Sequence, residues 1–494
     1  MKKSNDSQNN LTKQVFFGSG WMFGARLLKN SSGLIVMLIL ANLLIPEDFG
    51  LIATGTIAIS LIRIFTEVGF KESIIKETDE ITTSILNTAW TVEFIRGLLI
   101  FGIVYLSAPI IAGFFNEPDS IPVIQVLAFS PLIHGFTSIK IVFLQKELDF
   151  KKQFLYETIG ILSQFLVTVP LAFYLQNVWA LVIGAIAGEF LKVVISYLLM
   201  PYMPKTELNF ENFKKMFAFG KWYFLGVIVS YFGMELDTYI VAKYFDSQML
   251  GIYVLAFTIS NKPVVEISKS VSKVLFPAYA KLSKQPEKVR NAFIKSTNIL
   301  YAVVTPLCIG LSLVSEDFVK VFLDENWYEM IGVLQILALA SLMRCIAVPS
   351  GSIFYGLDKP KVNFIISFIR MISLVLSLVL ILSINENLNA AAFAVLFANA
   401  IVASVFILYS VKETYLKLCD YVLLSIPILI SSAVMILTVS GIQNLTLNTI
   451  LSLILSILLG GSSYILTQLV LYIVFNIGIG KELIYSLKKI KNDK

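Results

Sequence analysis

Residues 421–480 read YVLLSIPILISSAVMILTVSGIQNLTLNTILSLILSILLGGSSYILTQLVLYIVFNIGIG, and not one of them is Asp, Glu, Lys or Arg. Two apolar runs, about 421–441 and 447–479, fill this stretch. Each is long enough to cross roughly 30 Å of hydrocarbon as a helix, which takes about 20 residues. Barrel strands need only about 9–11 residues and alternate in polarity, so runs of this length specify helices. A helix also satisfies its own backbone hydrogen bonds where no water is present.

Outside this stretch the chain has the same character. Of 494 residues, 57% are hydrophobic and 15% charged, and the mean hydropathy is +0.80. Soluble chains run about 45–50% apolar and 25% charged. A soluble enzyme is excluded, because one globule could not hide that much apolar surface. Disorder, collagen and coiled coil are excluded by the same composition. The expected class is an all-α integral membrane protein.

Fourteen spans are expected, at roughly 15–44, 49–70, 83–113, 120–145, 153–175, 177–200, 222–244, 248–279, 296–314, 330–356, 362–383, 388–410, 421–441 and 447–479. The first carries Arg26 and Lys29 and is too long for a cleaved signal peptide. Basic residues test the count, since cytoplasmic loops collect Lys and Arg. With both termini inside, 26 basic residues fall in the termini and inner loops, one (Lys320) in an outer loop and twelve in spans. The outer loops lean acidic, with Glu47, Asp48, Glu117, Asp119, Glu316, Asp317, Asp324, Glu325 and Glu329. The net charge of +6 therefore follows topology and is no nucleic-acid signal. The longest inner loops, about 201–221 and 280–295, are each expected to hold a short amphipathic helix.

An internal repeat sets the domain plan. Trp21-Met22-Phe23 matches Trp222-Tyr223-Phe224 at an offset of 201, as Ala41 matches Ala242 and Gly50 matches Gly251. Gln125-Val126-Leu127-Ala128 matches Gln335-Ile336-Leu337-Ala338 at an offset of 210. Six spans separate the copies, an even number, so the halves are parallel and related by an axis along the membrane normal. The expected domains are residues 1–210 and 211–415, six helices each, with 416–494 adding two further membrane helices and a tail. The last pair has no partner in the repeat and suits a peripheral, lipid-facing position.

Ionisable groups within spans usually face a polar interior. Arg26 and Lys29, three apart, share one helix face. Arg63 with Glu67, Glu93 with Arg96, and Glu189 with Lys192 read as structural ion pairs along a helix. Glu235 and Asp237 lie in the seventh span; Lys262, Glu266, Lys269 and Lys273 draw a polar stripe along the eighth; Arg344 and Arg370 lie in the tenth and eleventh. Arg26, Lys29 and Arg370 have no acidic residue one turn away in their own helices. His134, the single histidine, reads as a satisfied interior residue rather than a proton relay.

The chain has 33 lysines and six arginines, yet five of the six arginines lie in spans. Arginine keeps its charge when desolvated and offers a planar fork that fits phosphate or carboxylate. Twelve basic against seven acidic residues in the spans leave an excess of five positive charges. Such an interior attracts an anionic ligand and repels a cationic drug. Cys308, Cys345 and Cys419 are far apart and show no CxxC spacing, and one histidine builds no metal cluster, so no metal or disulfide is expected.

Several words then resemble one family. Ala41-Asn42-Leu43-Leu44-Ile45-Pro46-Glu47-Asp48-Phe49-Gly50 is similar to a signature of bacterial polysaccharide transporters. So are Glu67 to Ile75, Leu236-Asp237-Thr238-Tyr239-Ile240-Val241-Ala242, Leu250-Gly251-Ile252-Tyr253-Val254-Leu255-Ala256, Pro263, and Leu275-Phe276-Pro277-Ala278. In this order they resemble the Wzx-type oligosaccharide flippases, in the colanic- and teichuronic-acid exporter branch of the multidrug/oligosaccharidyl-lipid/polysaccharide superfamily. The resemblance covers about residues 15–410.

The resemblance implies two six-helix lobes around a central cavity, working by alternating access in the bacterial cytoplasmic membrane. It implies as cargo an undecaprenyl-diphosphate-linked oligosaccharide, flipped from the inner to the outer leaflet, with membrane lipids and the polysaccharide polymerase machinery as partners. No cofactor is expected beyond a coupling ion, H+ or Na+. Arg26, Lys29, Lys262, Arg344 and Arg370 are the expected diphosphate contacts. Asp237, at the family's acidic position, with Glu235 and Glu266, would pair with these cations or bind the coupling ion. The rival readings are a drug/cation antiporter of the same superfamily and a lipid II flippase. A membrane glycosyltransferase is disfavoured because the outer loops are short.

Overall fold

The computed structural model describes residues 35–66, 74, 81–147, 149–445 and 447–475. By their internal packing the residues divide into two units, Met1–Val254 and Leu255–Lys494. Every regular element among the described residues is helical.

In the first unit α1 spans Pro46–Thr66. Pro46 takes the first helical position, where its missing N–H is no loss. Glu47 and Asp48 fill the positive first turn, and Asp48 accepts a hydrogen bond from the Ile45 amide at 3.3 Å. Helix α2, Thr83–Phe115, has 33 residues, about 50 Å at 1.5 Å per residue, so it overruns the hydrocarbon at one end or both. Thr82 caps its start and Asn116, with φ of 59°, closes its end. The expected fourth span is broken. Helices α3 (Ser120–Leu127) and α4 (Phe129–Gly135) run on to a 3-10 turn and α5 (Val142–Lys146), with a bend of 74° between Ser120–Gly135 and Ile139–Lys146. Helices α6 (Phe150–Leu175) and α7 (Trp179–Leu199) form a hairpin, and α8 spans Phe210–Tyr244.

Helix α9, Ser247–Leu282, starts in the first unit and ends in the second. Its first turns cross those of α1 reciprocally. A Cβ on Gly50 would fall 1.8 Å from the Ser247 carbonyl oxygen, and one on Gly251 would fall 1.8 Å from that of Pro46. Pro46 and Ser247, like Gly50 and Gly251, are 201 positions apart. The repeat is thus realised as a contact in which matched positions trade places, at a closeness that tolerates no side chain. Around it, Glu117 accepts from the Ser247 amide at 2.6 Å, Lys243 donates to the Phe114 carbonyl, and Tyr239 donates to the Ile57 carbonyl at 3.4 Å. These contacts tie α8 and the start of α9 to α1 and α2 within the first unit.

The second unit holds the rest of α9, then α10 (Pro286–Phe322), α11 (Met330–Gly356), α12 (Pro360–Leu382), α13 (Leu388–Glu413), α14 (Leu418–Gln443) and α15 (Thr449–Phe475). Its core includes Tyr279, Phe293, Phe354 and Ile366, all fully buried. Two buried phenols, Tyr301 and Tyr421, meet at 2.6 Å, and Tyr301 also donates to the Ile346 carbonyl at 3.1 Å. The uncharged stretch quoted above supplies α14 and α15. They pack on each other and on α10 through Met435, Val439, Leu453, Tyr464 and Val314. Ser452 donates to Asp317 at 2.7 Å, and Gln443 to the Leu313 carbonyl at 2.8 Å. Leu437, Leu458 and Ile473 stay exposed on the other face, as lipid contact requires.

Eleven described helices are long and apolar enough to cross a membrane, or twelve with the bent pair taken as one span. Of the fourteen expected spans, residues 15–34 of the first lie outside the described residues. The seventh falls within α8, 35 residues long with a charged beginning, which is not among these eleven. The two longest loops expected to lie inside differ from expectation. Residues 210–221 and 286–295 form the opening turns of α8 and α10 rather than separate amphipathic helices. Extending an existing helix adds one hydrogen bond per residue, whereas a separate helix needs a new and unfavourable nucleus.

Candidate functional site

The first unit gathers charge around a small cavity. Arg63 comes from α1, Glu93 and Arg96 from α2, Ser130 and His134 from α4, and Glu189 from α7. The cavity leaves about 40 Å³ for the centres of water-sized molecules. One water needs about 10–15 Å³ on that measure, so a few waters fit.

Small residues make this convergence feasible. A Cβ on Gly97 would fall 2.5 Å from the Pro131 carbonyl oxygen, and one on Gly135 3.2 Å from that of Glu93. Helices α2 and α4 therefore touch backbone to backbone, at the level where Glu93, Arg96 and His134 project. Gly160 of α6 does the same for Lys192, whose aliphatic stem lies 2.5 Å from where a Cβ would be.

Two of the three pairs expected from spacing form here; the third, Arg63 with Glu67, involves a residue outside the described ones. Arg96 reaches Glu93 at 2.8 Å, both side chains only 9% exposed. Lys192 donates to Glu189 Oε1 at 2.6 Å. His134 Nδ1 sits 3.3 Å from the other oxygen, Oε2. A buried ion pair, a half-buried one and the histidine thus share one site, which spacing along single helices does not reveal. The sequence signs of this convergence are Gly97 and Gly135, each beside a charged turn, and Pro131 within the broken span.

The residues predicted to contact a headgroup are distributed as follows. Arg26 and Lys29 lie outside the described residues, as do Glu67 and the side chains of Lys269 and Lys273. In the first unit Asp237 is fully buried and accepts a hydrogen bond from the Tyr253 hydroxyl at 3.0 Å, joining α8 to the start of α9. Glu235, two residues earlier, is half-buried. In the second unit Lys262 and Glu266 are half-buried and one turn apart on α9. The Arg344 guanidinium lies over the Phe257 ring at 4.9 Å, a cation–π contact. Arg370 is half-buried, with its Nε enclosed. Ser373 donates to its carbonyl at 3.0 Å.

Residues 39–332 match the family model described as polysaccharide biosynthesis protein. The chain belongs to this polysaccharide biosynthesis family. Relatives of this family member include the lipopolysaccharide biosynthesis protein WzxC of Escherichia coli K12, 29% identical over 72% of each chain. The teichuronic acid biosynthesis protein TuaB of Bacillus subtilis 168 is 25% identical over 72% of this chain and 74% of its own. Among solved structures, the lipid II flippase MurJ in an inward closed conformation is similar with a TM-score of 0.77 at 16% identity, over 91% of this chain and 98% of that one. An inward-facing multidrug resistance transporter of the MATE family gives 0.60 at 14% identity, over 78% and 94%. The family member therefore shares its fold with MurJ and this MATE transporter and is a multi-pass membrane protein.

Proposed function

We propose that this protein flips an undecaprenyl-diphosphate-linked oligosaccharide from the inner to the outer leaflet of the bacterial cytoplasmic membrane, for surface polysaccharide synthesis. The observation that carries the reading is the family match over residues 39–332. The charge pattern supports it. A diphosphate brought into hydrocarbon without partners faces a prohibitive desolvation penalty. Spans with an excess of five positive charges lower that barrier, while the prenyl tail stays in lipid. No bond is made or broken in this cycle.

In this reading residues 1–210 and 211–415 act as two six-helix lobes that alternate access, flanked by 416–494. Both termini are cytoplasmic. Arg26, Lys29, Lys262, Arg344 and Arg370 attract the diphosphate as it passes. Asp237, Glu235 and Glu266 balance them between cycles or hold a coupling ion. Binding stays weak enough for release because several cations share the charge.

The test is purified protein in liposomes with a labelled prenyl-diphosphate oligosaccharide in the inner leaflet. Translocation is expected in the wild type and lost in Arg26→Gln and in Arg370→Gln, with insertion and thermal stability retained. Normal transport by both variants overturns the assigned cation roles. Efflux of a cationic dye that collapses with a proton or sodium gradient would favour the antiporter. Equal transport of lipid II would favour the peptidoglycan reading.

A further inference from the structure

The cluster around the small cavity of the first unit contains the sole histidine of the chain, His134, on an element with unusual geometry. It lies in the last turn of α4, beside the 74° break in the bent span. Broken helices at membrane depth occur where the backbone is buried in protein or lines a watery cavity. In transporters they mark binding sites. Intramembrane histidine–carboxylate chains are candidate proton relays on general grounds.

We propose that His134 and Glu189 form a proton-binding site, loaded from the cavity, whose charge biases the bent span Ser120–Lys146.

The geometry carries this. Both side chains line the cavity, so water can reach them. An ionised Glu189 accepts only, so the 3.3 Å contact places the proton of a neutral imidazole on Nδ1. Nε2 is then the basic nitrogen, and a proton passing from cavity water to it makes an imidazolium. The new charge is favoured by the Glu189 carboxylate and by the C-terminus of α4. It is opposed by Arg63 on α1, Arg96 on α2 and Lys192 on α7. Glu93 on α2 favours it, though largely committed to Arg96 at 2.8 Å. The Tyr156 hydroxyl on α6 also lies near Glu189. Protonating the imidazole adds one positive charge to this set, which also includes Glu157 on α6. An added charge in so small a space alters the contact of α4 with α2 and α7. Because α4 is set apart from α5 by the bend, that change can move the span without breaking a helix. The proton site stands on its own geometry; its link to transport rests on the flippase reading.

A single histidine makes the test direct. Protein labelled with isotopic histidine, in lipid nanodiscs, reports one imidazole by magnetic resonance across pH 4.5–9. One titration is expected, with a midpoint between about pH 5 and 8, the range open to modestly perturbed histidine. In Glu189→Gln the midpoint should fall by about one pH unit or more, the usual effect of removing a nearby carboxylate. An imidazole that does not titrate in this range, or a midpoint indifferent to Glu189→Gln, overturns the site. In liposomes carrying the lipid-linked oligosaccharide, His134→Gln should flatten the pH profile of translocation. Transport by that variant with the wild-type profile overturns the coupling. If no variant or wild type moves the oligosaccharide, the flippase reading fails, and the magnetic resonance result still decides the proton site.

Discussion

Glu93 and Arg96 sit one turn apart on α2, almost excluded from solvent. Removing one partner of such a pair leaves a buried charge without its counterion. Glu93→Gln should destabilise the protein by about 3–5 kcal/mol, whereas replacing both residues with leucine should be close to neutral. Thermal unfolding in detergent measures both. Glu207 offers a pH test outside the membrane. Its carboxylate accepts from Ser84 and from Asn87 at 3.0 Å. These bonds, the Ser84 bond most, hold its carboxyl below the usual glutamate range. A lowered value means the contribution is complete above the ordinary glutamate pKa and is lost as pH falls through the lowered one. Hydrogen exchange at residues 205–209, corrected for intrinsic rates, should stay slow below the ordinary glutamate range, near pH 4.3, and quicken only under more acid conditions. In Glu207→Ala it should be fast at neutral pH.

The element that Glu207 anchors is an extended strap. Lys205, Glu207 and Asn209 donate their amides to Asn87, Thr91 and Thr88 at 3.4, 3.0 and 3.2 Å. Tyr202 donates to Asn87 at 2.5 Å. Alternate residues of the strap face one polar stripe of α2, where Ser84, Asn87, Thr88 and Thr91 recur at helical spacing. In sequence the stretch before α8 reads as a loop, and the stripe reads as part of an apolar span; neither names the other as partner. The crossing of α1 and α9 shows the same limit. The repeat pairs Gly50 with Gly251, but it does not say that the two sites touch. Since any side chain meets backbone there, Gly50→Ala and Gly251→Ala should each lower stability by about 1–3 kcal/mol. The double variant should couple rather than add, as expected for residues in contact.

For the whole molecule, basic loops predict topology that chemistry can check. In a background with Cys308, Cys345 and Cys419 replaced by serine, a cysteine at 325 should react with an impermeant maleimide added to intact cells. Cysteines at 284 and 412 should react only after lysis. The opposite pattern would reverse the orientation. Acidic residues in the loops expected to lie outside also cap helices. Asp48 caps the entry to α1, Glu117 the first amide of α9, and Asp324 a 3-10 turn. Their bias thus reflects helix ends as well as topology.

By itself the sequence determined the class, most of the spans among the described residues and the spacing of the repeat, because each depends on local chain chemistry. A run such as 421–480 must be helical in hydrocarbon wherever it packs, and pairs such as Glu93 with Arg96 lie within reach along one helix. Only tertiary structure decided that Arg63, Arg96, His134 and Glu189 meet at one cavity. Three contacts across helices brought that about: Gly97 on Pro131, Gly135 on Glu93, and Gly160 beneath Lys192. Closeness between helices is set by the residue that is missing a side chain, and a linear pattern does not say which neighbour will fill the space.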